Sequence, residues 1–305
     1  MTAKARYATP AAFRRALTDR VKTAVASGPW TIQQLQRQVA YDRLLERLYL
    51  IDDGWIVKGA TALLARDLGV RASLDVDVYR DTARETAEAD LRRAAGLDLN
   101  DWFRFEIGTD SPIANASIRL PVTALIGTTS WVRFQVDLVG ADLRMTGQPD
   151  DVPPLARGVI PDVEQHGYRA YPLVDHIADK VAAMYERHGD GRLPSTRYRD
   201  LVDLVAIVAA VSVDAEPQIV ALRSEFERRG LRWPERFVAP DRALWERGYA
   251  AEARRSLLRS EQSLDDALAA VRPFVDPLLD SSAHGRWNPE TRTWTDGAEA
   301  DRLTR

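Results

Sequence analysis

The chain has 305 residues, is 45% hydrophobic and 29% charged, and carries a formal net charge of −3. That is enough for a sizeable core in one large domain or two ordinary ones, without the global positive charge of a nucleic-acid binder, so any RNA partner needs a local basic patch. The absence of cysteine excludes disulfides, thiolate metal sites and a cysteine nucleophile. There is no apolar leader in MTAKARYATP and no membrane-length apolar run, which predicts a soluble, cytoplasmic protein with no membrane partner. Thr9-Pro10 gives a cap and a first-turn proline, followed by Phe13, Leu17, Val21 and Ala24 at helical spacing. Thr31 to Gln34 reads as a capping box, opening a second helix with Leu35, Val39, Leu44, Leu45 and Leu48 inward. Both helices are expected to be scaffold.

The stretch from Trp55 to Arg80, WIVKGATALLARDLGVRASLDVDVYR, carries the chemistry. A short β run, Trp55-Ile56-Val57, passes through Lys58-Gly59-Ala60-Thr61 into a helix expected over Ala62 to Leu68. Strict alternation then predicts a strand from Leu74 to Tyr79, with Leu74, Val76 and Val78 in the core and Asp75 and Asp77 together on the other face. Two carboxylates one strand-step apart can share a hard cation such as Mg²⁺, which is commonly held by one or two carboxylates plus substrate phosphates. A half-buried strand with a solvated acidic face has the same spacing. The glycine turn upstream favours the metal, because it lets backbone N–H groups approach a phosphate closely. A phosphate cradle followed by a carboxylate pair suits transfer from a nucleoside triphosphate.

Gly-[Gly/Ser] followed by Asp-x-Asp is the first motif of the DNA polymerase β-like nucleotidyltransferase superfamily. Lys58-Gly59-Ala60-Thr61-Ala62-Leu63 with Arg71-x-Ser73-x-Asp75-Val76-Asp77 resembles its AbiEii/MenT-type branch, toxins of bacterial toxin–antitoxin and abortive-infection systems. One departure is Ala60, where the motif has a second Gly or Ser; alanine offers no hydroxyl and resists positive φ. Further on, Thr82 to Ala95 predicts a charged amphipathic helix, and strands are expected over about Trp102 to Ile107, Ser117 to Ile126 and Trp131 to Val139. In the last, Val132, Phe134, Val136 and Leu138 share one face and Arg133, Gln135 and Asp137 the other. The resemblance implies that Asp137 is the third carboxylate beside the pair; by pattern alone it also suits an exposed strand position.

Gly140 to Gln165 is rich in Pro, Gly and Asp and reads as a linker, giving domains over 1–160 and 161–305. After a short strand at Tyr168 to Tyr171, a helix buries Val174, Ile177, Val181 and Met184, with His176, Lys180 and Arg187 on its flank. Taken alone, Lys180 suits a snorkelling surface residue. The following Arg197-Tyr198-Arg199-Asp200-Leu201-Val202-Asp203-Leu204 resembles the branch's K…R…RD-x-x-DL signature, matching Lys180, Asp200 and Asp203. Between Leu222 and Ser260 ten Arg stand against six Asp and Glu, interleaved with Phe226, Trp233, Phe237, Trp245 and Tyr249. That composition suits an RNA surface and equally a salt-bridged bundle with an aromatic core. Leu264 to Leu279 predicts a further helix, and the polar tail from Asp280 either packs through Trp287 and Trp294 or stays mobile.

The resemblance implies an α+β fold: a polymerase β-like nucleotidyltransferase domain with a mixed sheet, then a mostly helical C-terminal domain completing the active-site cleft. It implies a Mg²⁺-dependent enzyme that moves NMP from an NTP to an RNA acceptor, with the tRNA 3′ end the expected target, blocking translation and growth until a cognate antitoxin neutralises it. The implied metal ligands are Asp75, Asp77 and Asp137. Lys58, Gly59, Ala60, Thr61, Ser73 and Lys180 would hold the nucleotide, and Asp137 or Asp200 would serve the attacking hydroxyl. RNA would meet Arg197, Arg199, Arg228, Arg229, Arg254 and Arg255. Transfer to a protein or small-molecule hydroxyl, or a non-catalytic nucleotide-binding module, stays open.

Overall fold

A computed structural model describes residues 7–69, 71–113, 117–139 and 143–295. The chain forms two units. The first takes the residues up to Arg66, Ala72–Arg144 and Asp150–Ala170; the second takes Asp67–Arg71, Met145–Pro149 and everything from Tyr171.

In the first unit the elements run α1 (Pro10–Ser27), α2 (Ile32–Ile51), β1 (Ile56–Lys58), α3 (Gly59–Ala65), β2 (Asp75–Tyr79) and α4 (Arg84–Ala95). They continue through β3 (Phe103–Ile107), β4 (Ser111–Pro112), β5 (Ile118–Ile126), β6 (Thr129–Leu138), β7 (Asp150–Val152) and β8 (Tyr168–Ala170). The strands join in one sheet ordered β3-β5-β6-β2-β1-β8-β7, with β4 on β5. It is mixed: β2 lies parallel to β6 and β1 parallel to β8, while the other pairings are antiparallel. The expected caps form. Thr9 accepts from the Ala12 N–H, and Thr31 and Gln34 close a reciprocal capping box.

The inward faces of β5 and β6 alternate as expected, with Ile118, Leu120, Val122, Ala124 and Ile126 meeting Val132, Phe134, Val136 and Leu138 in the core. The helix α2 is buried on almost every side from Val39 to Leu48, polar residues included. Each of its buried charges has a partner, as burial demands. Asp42 accepts from the Leu155 and Ala156 N–H groups and from the Tyr168 hydroxyl. Arg43 and Arg47 both grip the buried Asp101, and Glu46 accepts from the His166 N–H. These bonds fasten the stretch between β7 and β8 to α2, so it is part of the unit rather than a free linker.

Several expectations are corrected. Leu74 is 57% exposed and precedes β2 instead of entering the core, which is filled from this strand by Val76 and Val78. The helix expected over Ala62 to Leu68 begins earlier, at Gly59, and ends at Ala65. The first unit reaches Ala170 rather than residue 160, because β8 pairs with β1 and β7 and so completes the sheet. Of the expected linker, residues 140–142 lie outside the described residues.

The second unit contains α5 (Leu173–Tyr185), a hairpin of β9 (Arg187–His188) and β10 (Leu193–Pro194), then α6 (Tyr198–Val208), α7 (Ala215–Arg228), α8 (Arg242–Ala253) and α9 (Leu264–Leu279). A last hairpin joins β11 (Arg286–Asn288) to β12 (Thr293–Thr295). The Asp175 carboxylate on α5 accepts from the Thr146 N–H and hydroxyl and from the Gly147 N–H. That explains why residues 145–149 go with this unit. Trp287 and Trp294 both pack on Phe274 of α9, with ring centroids 5.1 Å away, so the tail packs as far as Thr295; residues 296–305 lie outside the described residues. Among the described residues no helix is long and apolar enough to cross a membrane.

Candidate active site

The expected residues fall into two groups, one in each unit. In the first unit, β2 carries Asp75 and Asp77 on one face, as period two requires. Pairing extends that face sideways. Lys58 on β1 stands opposite Asp77, Asp77 opposite Asp137 on β6, and Asp137 opposite Arg119 on β5. A cation therefore stands at each end of a row with two carboxylates between, and Asp75 lies one step along β2.

Arg119 was not among the expected residues. Its guanidinium donates from Nε to Asp137 Oδ1 at 2.7 Å and from Nη2 to Oδ2 at 2.6 Å, a two-bond fork. Nη2 also lies 4.0 Å from Asp75 Oδ2. The bond to Asp137 raises the guanidinium pKa, with burial opposing and the charges of Asp137, Asp75 and Asp77 adding to it. Asp137, expected as a metal ligand or base, thus has both oxygens engaged.

The residues around the pair fix its geometry. Ser73 Oγ lies 2.8 Å from both the carbonyl oxygen and Oδ1 of Asp75. Thr61 is fully buried, and its hydroxyl donates to the Asp75 carbonyl at 3.1 Å. Its hydroxyl therefore ties α3 to β2 and is not directed at a ligand. Gly59 adopts φ +60°, while Ala60 is not among the residues with positive φ. The departure at Ala60 therefore strains nothing: the left-handed position is the glycine before it. A Cβ on Gly59 would lie 1.8 Å from Asp77 Oδ2. The carboxylate fills the space that the missing side chain leaves open.

These groups fit a hard divalent cation. The donors are carboxylate oxygens on one face, held by Ser73 and admitted by Gly59. Among the described residues no three His, Cys, Asp or Glu side chains group to hold a metal. The protein would thus give Asp75 and Asp77, with the remaining ligands from phosphates and water, as is common for Mg²⁺.

The second unit holds Lys180, Asp200 and Asp203. Spacing of three on α6 puts both aspartates on one helical face, and Lys180 on α5 reaches them, with Nζ 3.0 Å from Asp200 Oδ1 and 2.6 Å from Asp203 Oδ2. Lys180 is only 6% exposed, so it is a buried ion-pair centre rather than a snorkelling residue. Burial pushes its ammonium pKa down, but the charges of Asp203 and Asp200 override this and raise it. Asp200 Oδ2 has an ion-pair contact to Arg197 Nε at 3.2 Å, and Arg71 Nε lies 3.8 Å from Asp203 Oδ1.

The arginines expected to meet RNA occupy two settings. Arg229 is 10% exposed and grips Asp179, Glu186 and Glu225, and Arg228 forks onto Glu225. Arg229 thereby holds the end of α7 against α5, while Arg228 is tied within α7. By contrast, Arg197, Arg199, Arg254 and Arg255 are exposed or half-exposed, and Arg199 and Arg255 share Glu252 at 2.9 and 3.4 Å. The aromatics Phe226, Phe237, Trp245 and Tyr249 are buried in the core, so they offer no stacking surface.

Comparison with curated proteins finds no match. Among solved structures the fold is similar to MenT4, a nucleotidyltransferase toxin from Mycobacterium tuberculosis, with a TM-score of 0.58, 14% identity, and coverage of 94% of this chain and 96% of that one. JHP933 from Helicobacter pylori aligns with a TM-score of 0.47 at 15% identity, over 88% of this chain and 98% of that one. The family model for the nucleotidyl transferase AbiEii toxin of a type IV toxin–antitoxin system matches residues 43–280. That span includes Asp75, Asp77, Lys180 and Asp200 and makes up most of the chain, which therefore belongs to the AbiEii family of nucleotidyltransferase toxins.

Proposed function

We propose that this nucleotidyltransferase uses Mg²⁺ and an NTP to add NMP to RNA, with the 3′ end of tRNA as acceptor, and that a cognate antitoxin restrains it. The observation that carries the reading is the Asp75–Asp77 pair, with Ser73 bonded to one carboxylate and Gly59 closed against the other. Asp75 and Asp77 would hold Mg²⁺, whose charge would offset the negative charge developing on the triphosphate. Lys58, Gly59 and Ala60, at the end of β1 and the start of α3, present backbone to the phosphates, while Thr61 and Ser73 fix Asp75. Lys180, with three donors and two of them used, has one N–H for a phosphate oxygen.

The acceptor hydroxyl attacks the α-phosphorus, the new O–P bond forms, the bond to the β-phosphate oxygen breaks, and pyrophosphate leaves. The hydroxyl proton passes to Asp200, whose Oδ1 is bonded to Lys180 and whose Oδ2 lies 3.2 Å from Arg197 Nε. The RNA reading is supported by the exposed Arg197 and Arg199 at the start of α6, beside Asp200, with Arg255 joined to Arg199 through Glu252 and the exposed Arg254 next to it in the chain. Together they form a local basic patch in an acidic chain.

The test is incubation with each α-³²P-labelled NTP, Mg²⁺ and total cellular RNA or lysate protein. Label should enter RNA of tRNA size and be lost when the tRNA 3′ end is blocked by periodate. Label in protein or in a small molecule would replace the acceptor; no label in any fraction would refute the reading.

A further inference from the structure

The carboxylate face has a cation of its own. Strand β5 sets Arg119 directly opposite Asp137, and the guanidinium takes both oxygens of that carboxylate while its Nη2 stands 4.0 Å from Asp75. An arginine fork matches a carboxylate in plane and in spacing, and it keeps its charge at any working pH. Asp75, Asp77 and Asp137 bring three negative charges, and Lys58 opposite Asp77 and Arg119 opposite Asp137 bring two positive ones, leaving too little negative charge to call for two divalent ions. A second divalent ion at Asp137 would compete for oxygens already bonded and would face the guanidinium at close range, where like charges repel strongly. The neighbouring positions offer no replacement carboxylate: the residue opposite Asp75 on β6 is Gln135, and opposite Gln135 on β5 is Pro121.

We propose that Arg119 is a positioning residue that holds Asp137 where a second metal would otherwise bind, so that the chain takes one divalent cation, at Asp75 and Asp77. This rests on the metal assignment made under the proposed function, and the experiment separates the two. Mn²⁺ alone is titrated into the full chain, and bound ion is read from the loss of the free-ion EPR signal, with no catalysis involved. Wild type should bind one Mn²⁺ per chain, and Asp75→Asn should remove it.

Arg119→Ala should bind a second Mn²⁺, which disappears again in Arg119→Ala/Asp137→Asn. Arg119→Lys, which keeps the charge, should stay at one. Arg119→Gln, which keeps much of the side chain's bulk without the charge, should also gain the second ion, so the test stands if the alanine variant folds poorly. Two ions on wild type, or one ion on a folded Arg119→Ala or Arg119→Gln, would overturn the inference while leaving the metal assignment intact. Mn²⁺ binding that ignores Asp75→Asn would overturn both.

Discussion

Gly59→Ala is the smallest change that reaches the carboxylate pair through geometry alone. The added Cβ would sit 1.8 Å from Asp77 Oδ2 and 2.8 Å from its Cγ, but 3.4 Å from its Cβ. Two costs follow. Holding alanine at φ +60° costs roughly 1–2 kcal/mol, which for a domain of this size lowers Tm by about 2–4 °C per kcal/mol. Separately, the carboxylate must retreat from 1.8 Å to at least 3.0 Å, and misplacing a reacting group by about 1 Å costs on the order of 100-fold in rate. A double-mutant cycle separates the costs. In Asp77→Ala the clashing atoms are gone and the remaining Cβ is at ordinary contact distance, so Gly59→Ala should then cost only the backbone strain. The assays are thermal melts of the four proteins and nucleotidyl transfer by the two that retain Asp77. Equal cost of Gly59→Ala in both backgrounds, or a Gly59→Ala protein with wild-type transfer, would refute the reasoning.

Lys180→Met leaves two buried carboxylates facing each other, which should cost about 3–5 kcal/mol by urea unfolding; it should also reduce transfer by about 100-fold, the scale of one lost charge stabiliser. Arg229→Ala, which removes an ion-pair contact from each of three carboxylates, should cost about 3 kcal/mol, whereas Arg255→Ala, at a 72% exposed side chain, should stay within about 0.5 kcal/mol while weakening RNA binding and flattening its salt slope by about one unit. Burial pushes the Asp42 carboxyl up to about 6 from an ordinary value of 3.8, against the bonds from Tyr168, Ala156 and Leu155 and the charge of Arg43. A raised acid stabilises the fold below its unfolded value and loses that contribution as pH rises through the folded value, so wild type should lose stability relative to Asp42→Asn between pH 3.8 and about 6, as checked by paired melts across that window.

Local signals were legible where one pattern decided the outcome. The caps at Thr9 and Thr31, the alternation of β5 and β6 and the helix from Leu264 to Leu279 all read directly from spacing. The mixed sheet followed from the resemblance. Arg119 was not legible, for a physical reason. Counting back from the Ile126–Thr129 pair would set it against Val136 on the opposite face, but the register shifts between Ala124 and Leu125 and brings it to Asp137. The sequence also could not separate surface arginines from structural ones. Arg43, Arg47 and Arg229 are paired by residues distant in the chain, and composition is blind to such partners. For the same reason Phe226, Phe237, Trp245 and Tyr249 fitted a stacking surface as well as the core they occupy.

Transfer itself tests the central claim most directly. Incorporation of label from α-³²P NTP into RNA should be measured for wild type, Asp75→Ala and Asp77→Ala, alongside their melting curves without Mg²⁺. Removing either carboxylate should abolish incorporation, with Tm unchanged or raised because like-charge repulsion between the pair is relieved. Near-normal incorporation by either variant with a native melting curve would contradict the account.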